Sequence, residues 1–93
     1  MKTVRSIMCC CGSGLGSSML VRMNVEKALK NLGITGVDIS HSSVSDAVPG
    51  AAELFIVGKD LTNFVRNLPA VIILDNIISM PELESKLRAY FEL

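Results

Sequence analysis

The side chains with the most chemistry to offer lie in one stretch, "CCCGSGLGSSM", residues 9–19, which carries three cysteines, three glycines and three serines. Cysteines so placed can be metal ligands, a disulfide pair, the end of a buried strand or a nucleophile. A structural zinc site spaces its ligands as C-x₂₋₄-C with a further Cys or His pair. Here the cysteines are adjacent and His41 is the only histidine left to join them, so no metal site is expected. The glycines do not make a Walker A loop, because no lysine follows the last of them. "GSGLGS" has glycines at its first, third and fifth places, whereas a dinucleotide fingerprint wants them first, third and sixth.

The surrounding pattern explains how such a stretch would be held. "VRSIMCC" (4–10) is predicted to be a strand. From Ser17 to Leu32 the apolar positions Val21, Val25, Ala28, Leu29 and Leu32 follow helical spacing, and Gly33 stands where a left-handed cap is wanted. "VDISHS" (37–42) alternates, as a partly exposed edge strand does. "ELFIVG" (53–58) and "AVIIL" (70–74) are continuous apolar runs, suited to a parallel sheet covered on both faces. "KDLTNFVRNL" (59–68) reads as a short helix, and 43–52 as one or two helical turns ending near Pro49-Gly50. "SMPELESKLRAYFEL" (79–93) reads as the last helix, with Ser79 and Glu82 forming a capping box. Its core-facing stripe is Leu83, Leu87, Tyr90 and Phe91.

This alternation predicts an α/β fold with three layers. Its four-stranded parallel sheet has the order 2-1-3-4, with helices on both faces and right-handed crossovers. At 93 residues one domain, 1–93, is expected, and no linker or low-complexity tract interrupts it. Charged residues make up 19% and the net charge is zero, so the basic face that a nucleic-acid binder needs is not in evidence. The longest apolar runs fall far short of the ~20 residues of a spanning helix, which argues against direct membrane insertion. The apolar part of the N-terminus is too short for a signal peptide. A cytosolic chain is therefore expected, where thiols stay reduced and the cysteines form no disulfide framework.

In a sheet of that order the ligand site lies beyond the carboxyl end of strand one, at the switch point. Cys9 and Cys10 are then buried packing residues inside a central strand. Cys11 falls at the mouth of the strand-loop-helix turn. Gly12, Ser13, Gly14, Leu15 and Gly16 form a loop whose backbone N–H groups can converge on an anion, with Ser17 or Ser18 capping the helix or donating a hydroxyl. The same field would stabilise a thiolate, because cysteines at helix N-termini have depressed pKa values. A nucleophile inside a phosphate-sized cradle points to phosphocysteine, and no cofactor is called for.

"CGSGLGSSMLVRM" (11–23) resembles the active-site loop and first helix of the IIB components of the bacterial phosphoenolpyruvate-dependent sugar phosphotransferase system. It is most similar to the ascorbate-type branch, with the loop C-G-(N/S)-G-x-G-(S/T)-S-M. The galactitol and lactose branches share the leading cysteine but differ in the loop. Beyond residue 23 the likeness is one of layout. The resemblance implies a phosphotransferase subunit with Cys11 as phospho-acceptor. The backbone of residues 12–17 and the hydroxyls of Ser13, Ser17 and Ser18 would cradle the phosphoryl group. It implies a IIA phosphohistidine as donor and a sugar carried by a membrane IIC permease as acceptor. The chain would be cytoplasmic and peripherally attached through IIC.

Two alternatives stay open on sequence. Low-molecular-weight tyrosine phosphatases and related arsenate reductases use a similar fold with a Cys-x₅-Arg loop. The position six after Cys11 is Ser17, and Arg22 lies further along the helix. An arginine clamps the equatorial oxygens of the transferring group, so its replacement suits a carrier that holds phosphoryl for delivery. A IIB-like regulatory module is the second alternative, against which the short chain with nothing appended is read. Leu15, Met19 and Met23 are candidates for an apolar docking rim, with a core role open for Met23. Arg22, Lys27 and Lys30 are read as a solvated helix face, His41 as an ordinary edge-strand histidine, and Asp60 and Asp75 as residues near the site that can meet a partner.

Overall fold

The computed structural model describes residues 4–11 and 16–92, and only the backbone for residues 11, 16–18 and 44. Four strands, β1 (Ser6–Cys11), β2 (Asp38–Ser43), β3 (Leu54–Gly58) and β4 (Val71–Leu74), form one all-parallel sheet in the order β2-β1-β3-β4. The expected topology is the observed one. β3 is buried along its whole length, as its unbroken apolar run required. β2 alternates instead, with Ile39 and His41 half-buried between exposed Asp38 and Ser40, as an edge strand should.

Two α-helices pack on one face of the sheet. α1 (Gly16–Asn31) presents Val21, Val25, Ala28 and Leu29, and α2 (Met80–Tyr90) presents Leu83 and Leu87. Beneath them lie Ile7, Cys9, Leu54, Ile56, Ile72 and Leu74. α1 stops at a Schellman turn. Gly33 takes φ 76°, its N–H donates to the Lys30 carbonyl, and Ile34 N–H donates to Leu29. Asn31 at the end of α1 also donates to the Glu84 carboxylate of α2 at 2.8 Å, which ties the two helices.

The opposite face carries helical cover of a different kind. Residues Val44–Asp46 and Lys59–Phe64 are 3₁₀ segments, and the helix expected over 59–68 is confined to the second of them. The local chemistry explains the shortening. Thr62 Oγ1 donates to its own chain's Lys59 carbonyl at 2.7 Å, and Asn63 accepts from Arg66, so side chains compete for the polar groups that an α-turn would use. Leu61, Val65 and Leu68 still reach the sheet and pack on Cys10, Phe55 and Val57.

The capping box at α2 is half formed. Ser79 accepts from the Glu82 N–H, but the Glu82 side chain does not return to the Ser79 N–H, which donates to the Asn76 carbonyl. The Glu82 carboxylate turns to the β4–α2 loop and accepts from the N–H groups of Asp75 and Asn76 at 2.7 and 2.9 Å. Lys86 adds an ion pair to Glu82 and donates to the Ile73 carbonyl at 2.5 Å, so a cation occupies a backbone acceptor of β4 at the sheet edge.

Candidate functional site

The site grows from the carboxyl end of β1. The chain leaves β1 for β2 on one side and the sheet continues to β3 on the other, so β1 is the switch point of this sheet. Its last residue is Cys11, one residue further than the strand predicted over 4–10, and α1 begins at Gly16. Cys11 thus ends the strand itself. Of the remaining predicted cradle, Gly12, Ser13, Gly14 and Leu15 lie outside the described residues, as do the side chains of Cys11, Ser17 and Ser18. The backbone of Gly16, Ser17 and Ser18 forms the first turn of α1.

The two preceding cysteines are packing residues, as expected. Cys9 is fully buried under the helices and Cys10 is 2% exposed on the 3₁₀ side, so alternation along the strand has sent them to opposite faces. Burial pushes the Cys9 thiol up to about 12, with the neighbouring Cys10 adding to the rise and the Arg22 charge only partly opposing it. Cys9 is a protonated, inert thiol at neutral pH.

Hydroxyls surround the end of β1 on the β2 side, and sequence reasoning overlooked them. In the β1–β2 ladder Cys10 is opposite Ser42 and Cys11 is opposite Ser43. Ser42 donates to the Asp46 carboxylate, and Ser43 and Ser45 share a hydrogen bond of 2.6 Å. The signal was the serine density of "SHSSVSD" (40–46) at the end of an edge strand. It became informative only with the register that sets Ser43 beside Cys11. On the other side, β3 ends at buried Gly58. A Cβ there would stand 2.7 Å from Asp60 Oδ1 and 3.2 Å from Ile77 Cγ2, so the loops after β3 and β4 close tightly over this strand end.

The remaining candidates divide. Asp60 and Asp75 are exposed directly after β3 and β4, at the carboxyl edge where they were expected. His41 is half-buried in β2 opposite Cys9, two rungs before Cys11. Arg22 corrects the sequence reading. Lys27 and Lys30 are exposed, but Arg22 is half-buried, its Nε is buried without a hydrogen-bond partner, and its charge is felt at Cys9. Met23 is not a core residue. It is 50% exposed, as is Met19, and Leu20 between them is 42% exposed. These three give the first half of α1 an apolar outer surface next to the proposed loop. Among the described residues no group of His, Cys, Asp and Glu could hold a metal ion, and no helix is long and apolar enough to cross a membrane.

The fold thus defines a parallel α/β domain whose inner strand ends at a cysteine, five residues before a helix. Comparison with known proteins makes the class specific. Residues 6–89 match the model of the family described as "PTS system, Lactose/Cellobiose specific IIB subunit". The chain is 35% identical over 69 residues to the "Ascorbate-specific PTS system EIIB component" of Mycoplasma pneumoniae, covering 72% of this chain and 73% of that one. The chain belongs to the IIB family of the sugar phosphotransferase system. Its general role is that of a phosphotransfer subunit, and components of this kind work with IIA and IIC partners.

Proposed function

We propose that this IIB chain carries phosphoryl on Cys11. The thiolate attacks the phosphorus of a IIA phosphohistidine. An S–P bond forms, the N–P bond breaks, and the imidazole nitrogen keeps the electron pair. In the second step a hydroxyl of the sugar held by a membrane IIC permease attacks the same phosphorus. The S–P bond then breaks, sulfur leaves as thiolate, and the hydroxyl proton passes to a base or to water. Catalysis of this type is mostly positioning and charge stabilisation. The residues that would supply it are the backbone amides of Gly12, Ser13, Gly14, Leu15, Gly16 and Ser17 with the hydroxyls of Ser13, Ser17 and Ser18.

The observation that carries this reading is the place of Cys11, last residue of the inner strand at the switch point, with α1 starting at Gly16. The state of Cys9 supports it, because a thiol held near 12 is unavailable as a nucleophile. The similarity to an ascorbate-specific component favours an ascorbate-like acceptor. A cytoplasmic chain held at the membrane through IIC fits this role.

The test is phosphorylation followed by intact mass. The chain is incubated with phosphoenolpyruvate, the general phosphotransferase proteins and a IIA partner. One phosphate adduct on the wild type that is lost in Cys11→Ser is the expected result. An adduct that persists in Cys11→Ser, or that maps to His41, overturns it. Partner-independent turnover of an aryl phosphate would instead identify a phosphatase.

A further inference from the structure

We propose that Ser43 is a phosphoryl-binding residue and that Ser45 positions it, a reading that rests on Cys11 being the phosphoryl carrier. Ser43 is the last residue of β2 and the ladder partner of Cys11. Neighbouring strands run about 4.8 Å apart, so this serine's backbone lies one strand spacing from that of Cys11 at the same level of the sheet. A phosphoryl group attached there brings three terminal oxygens and a double negative charge to the end of β1.

The hydroxyl pair is arranged to meet such a group. Ser43 and Ser45 stand 2.6 Å apart, oxygen to oxygen. Their mutual bond uses one of two hydroxyl protons and leaves the other to the pair. With Ser45 donating to Ser43, the Ser43 proton is directed outward to a phosphoryl oxygen, and each bond polarises the next. The 3₁₀ segment Val44–Asp46 sets the spacing by bringing Ser45 back beside the strand end. The Asp46 carboxylate has a hydroxyl partner outside this pair. Asp46 accepts from Ser42, and strand alternation puts Ser42 on the opposite face from Ser43.

A neutral donor suits a carrier. Hydroxyl bonds to a phosphate oxygen are short and charge-assisted, yet they add no fixed positive charge that would hold the group against onward transfer. Ser43 thereby supplies a side-chain donor from β2, independent of the loop that follows Cys11.

The experiment measures how phosphoryl distributes between a IIA donor and this chain at equilibrium, by intact mass, with the phosphorus-31 shift of the adduct as second readout. Ser43→Ala is expected to move the distribution about tenfold towards the donor, the loss of one hydrogen bond to a charged group, and to shift the resonance. Ser43→Thr, which keeps the hydroxyl, is expected to restore both. Ser45→Ala, at an exposed position, is expected to give a smaller change in the same direction. An adduct on Ser43→Ala with wild-type distribution and resonance overturns this proposal and leaves the carrier reading standing. Failure of Ser43→Thr to restore either readout also overturns it. If Ser43→Ala does not fold, an unchanged Ser45→Ala does the same. A wild type that takes up no phosphate overturns the carrier reading and this proposal with it.

Discussion

The two faces of the sheet are built to different standards. One is roofed by α1 and α2, which bury Val21, Val25, Ala28, Leu29, Leu83 and Leu87 over five strand residues and Cys9. The other is roofed by 3₁₀ segments and connecting chain that place Ala47, Ala52, Leu61, Val65 and Leu68 over Cys10, Phe55 and Val57. Both exclude water from the strands, but the first does so with regular hydrogen bonding and the second with short turns whose bonds are partly taken over by side chains. By strand alternation Ser43, opposite Cys11 in the register, falls on the face roofed by α1, whereas Ser42, opposite Cys10, falls on the thinner one. Loosely covered regions open at lower free energy than the core, so adjustment to a partner is expected on the 3₁₀ side.

Truncation in the two layers is the sharpest way to break this contrast. Leu87→Ala, fully buried under the helices, is expected to destabilise by about 3 kcal/mol. Leu61→Ala, on the thinner side, is expected to lose about 2 kcal/mol because that layer can collapse more readily into the space. Urea unfolding checks both, and equal losses would mean that the faces are equally rigid.

An alkaline titration probes the helix face through Cys9. Its thiol is raised from an unfolded value of 9.0 to about 12 in the fold. Below pH 9 both states hold the proton and stability is unaffected. Between 9 and 12 the unfolded chain has lost it and the native chain has not, so stability falls by about 1.4 kcal/mol per pH unit. Cys9→Ala should flatten that limb of the urea midpoint curve, and a limb unchanged by the substitution would deny Cys9 its burial.

The smallest effect is expected at low pH, from the partly exposed clamp on the β4–α2 loop. The Lys86 ammonium, and then the N–H groups of Asp75 and Asn76, hold the Glu82 carboxyl at about 2, below its ordinary 4.5. Its contribution is present above pH 4.5 and lost as pH falls through 2. Glu82→Gln should therefore lower thermal stability at pH 6 and converge with the wild type near pH 2. A constant gap across that range would show that the carboxylate charge is not what holds the loop.

Much of this was legible from residue types alone. Uninterrupted apolar runs at 53–58 and 70–74 and alternation at 37–42 were enough to order the strands, because burial on two faces and on one leaves different periodicities. Gly33 ended α1 where predicted, since few other residues accept its φ of 76°. The family was legible too, in the spacing of Cys11 and the glycines after it. What sequence could not decide depended on competition or register. Apolar spacing over 59–68 is the same for an α-helix and for a 3₁₀ segment, and the Thr62 hydroxyl bond to Lys59 is a local choice made between them. Glu82 at the third position after Ser79 satisfies the capping-box pattern, yet two loop N–H groups and Lys86 together outbid a single one at the cap. Met23 and Arg22 are neighbours on one helix, and only the packing of α1 on β1 left the methionine outside and drew the arginine's Nε in.

The sequence by itself determined that Cys11, alone of three adjacent cysteines, directly precedes a glycine-rich run and follows an apolar strand. Covalent order and strand length settle that. Tertiary structure decided which groups stand around it, because Ser43 is thirty-two residues from Cys11 along the chain and becomes its neighbour only through the parallel register of β2 on β1.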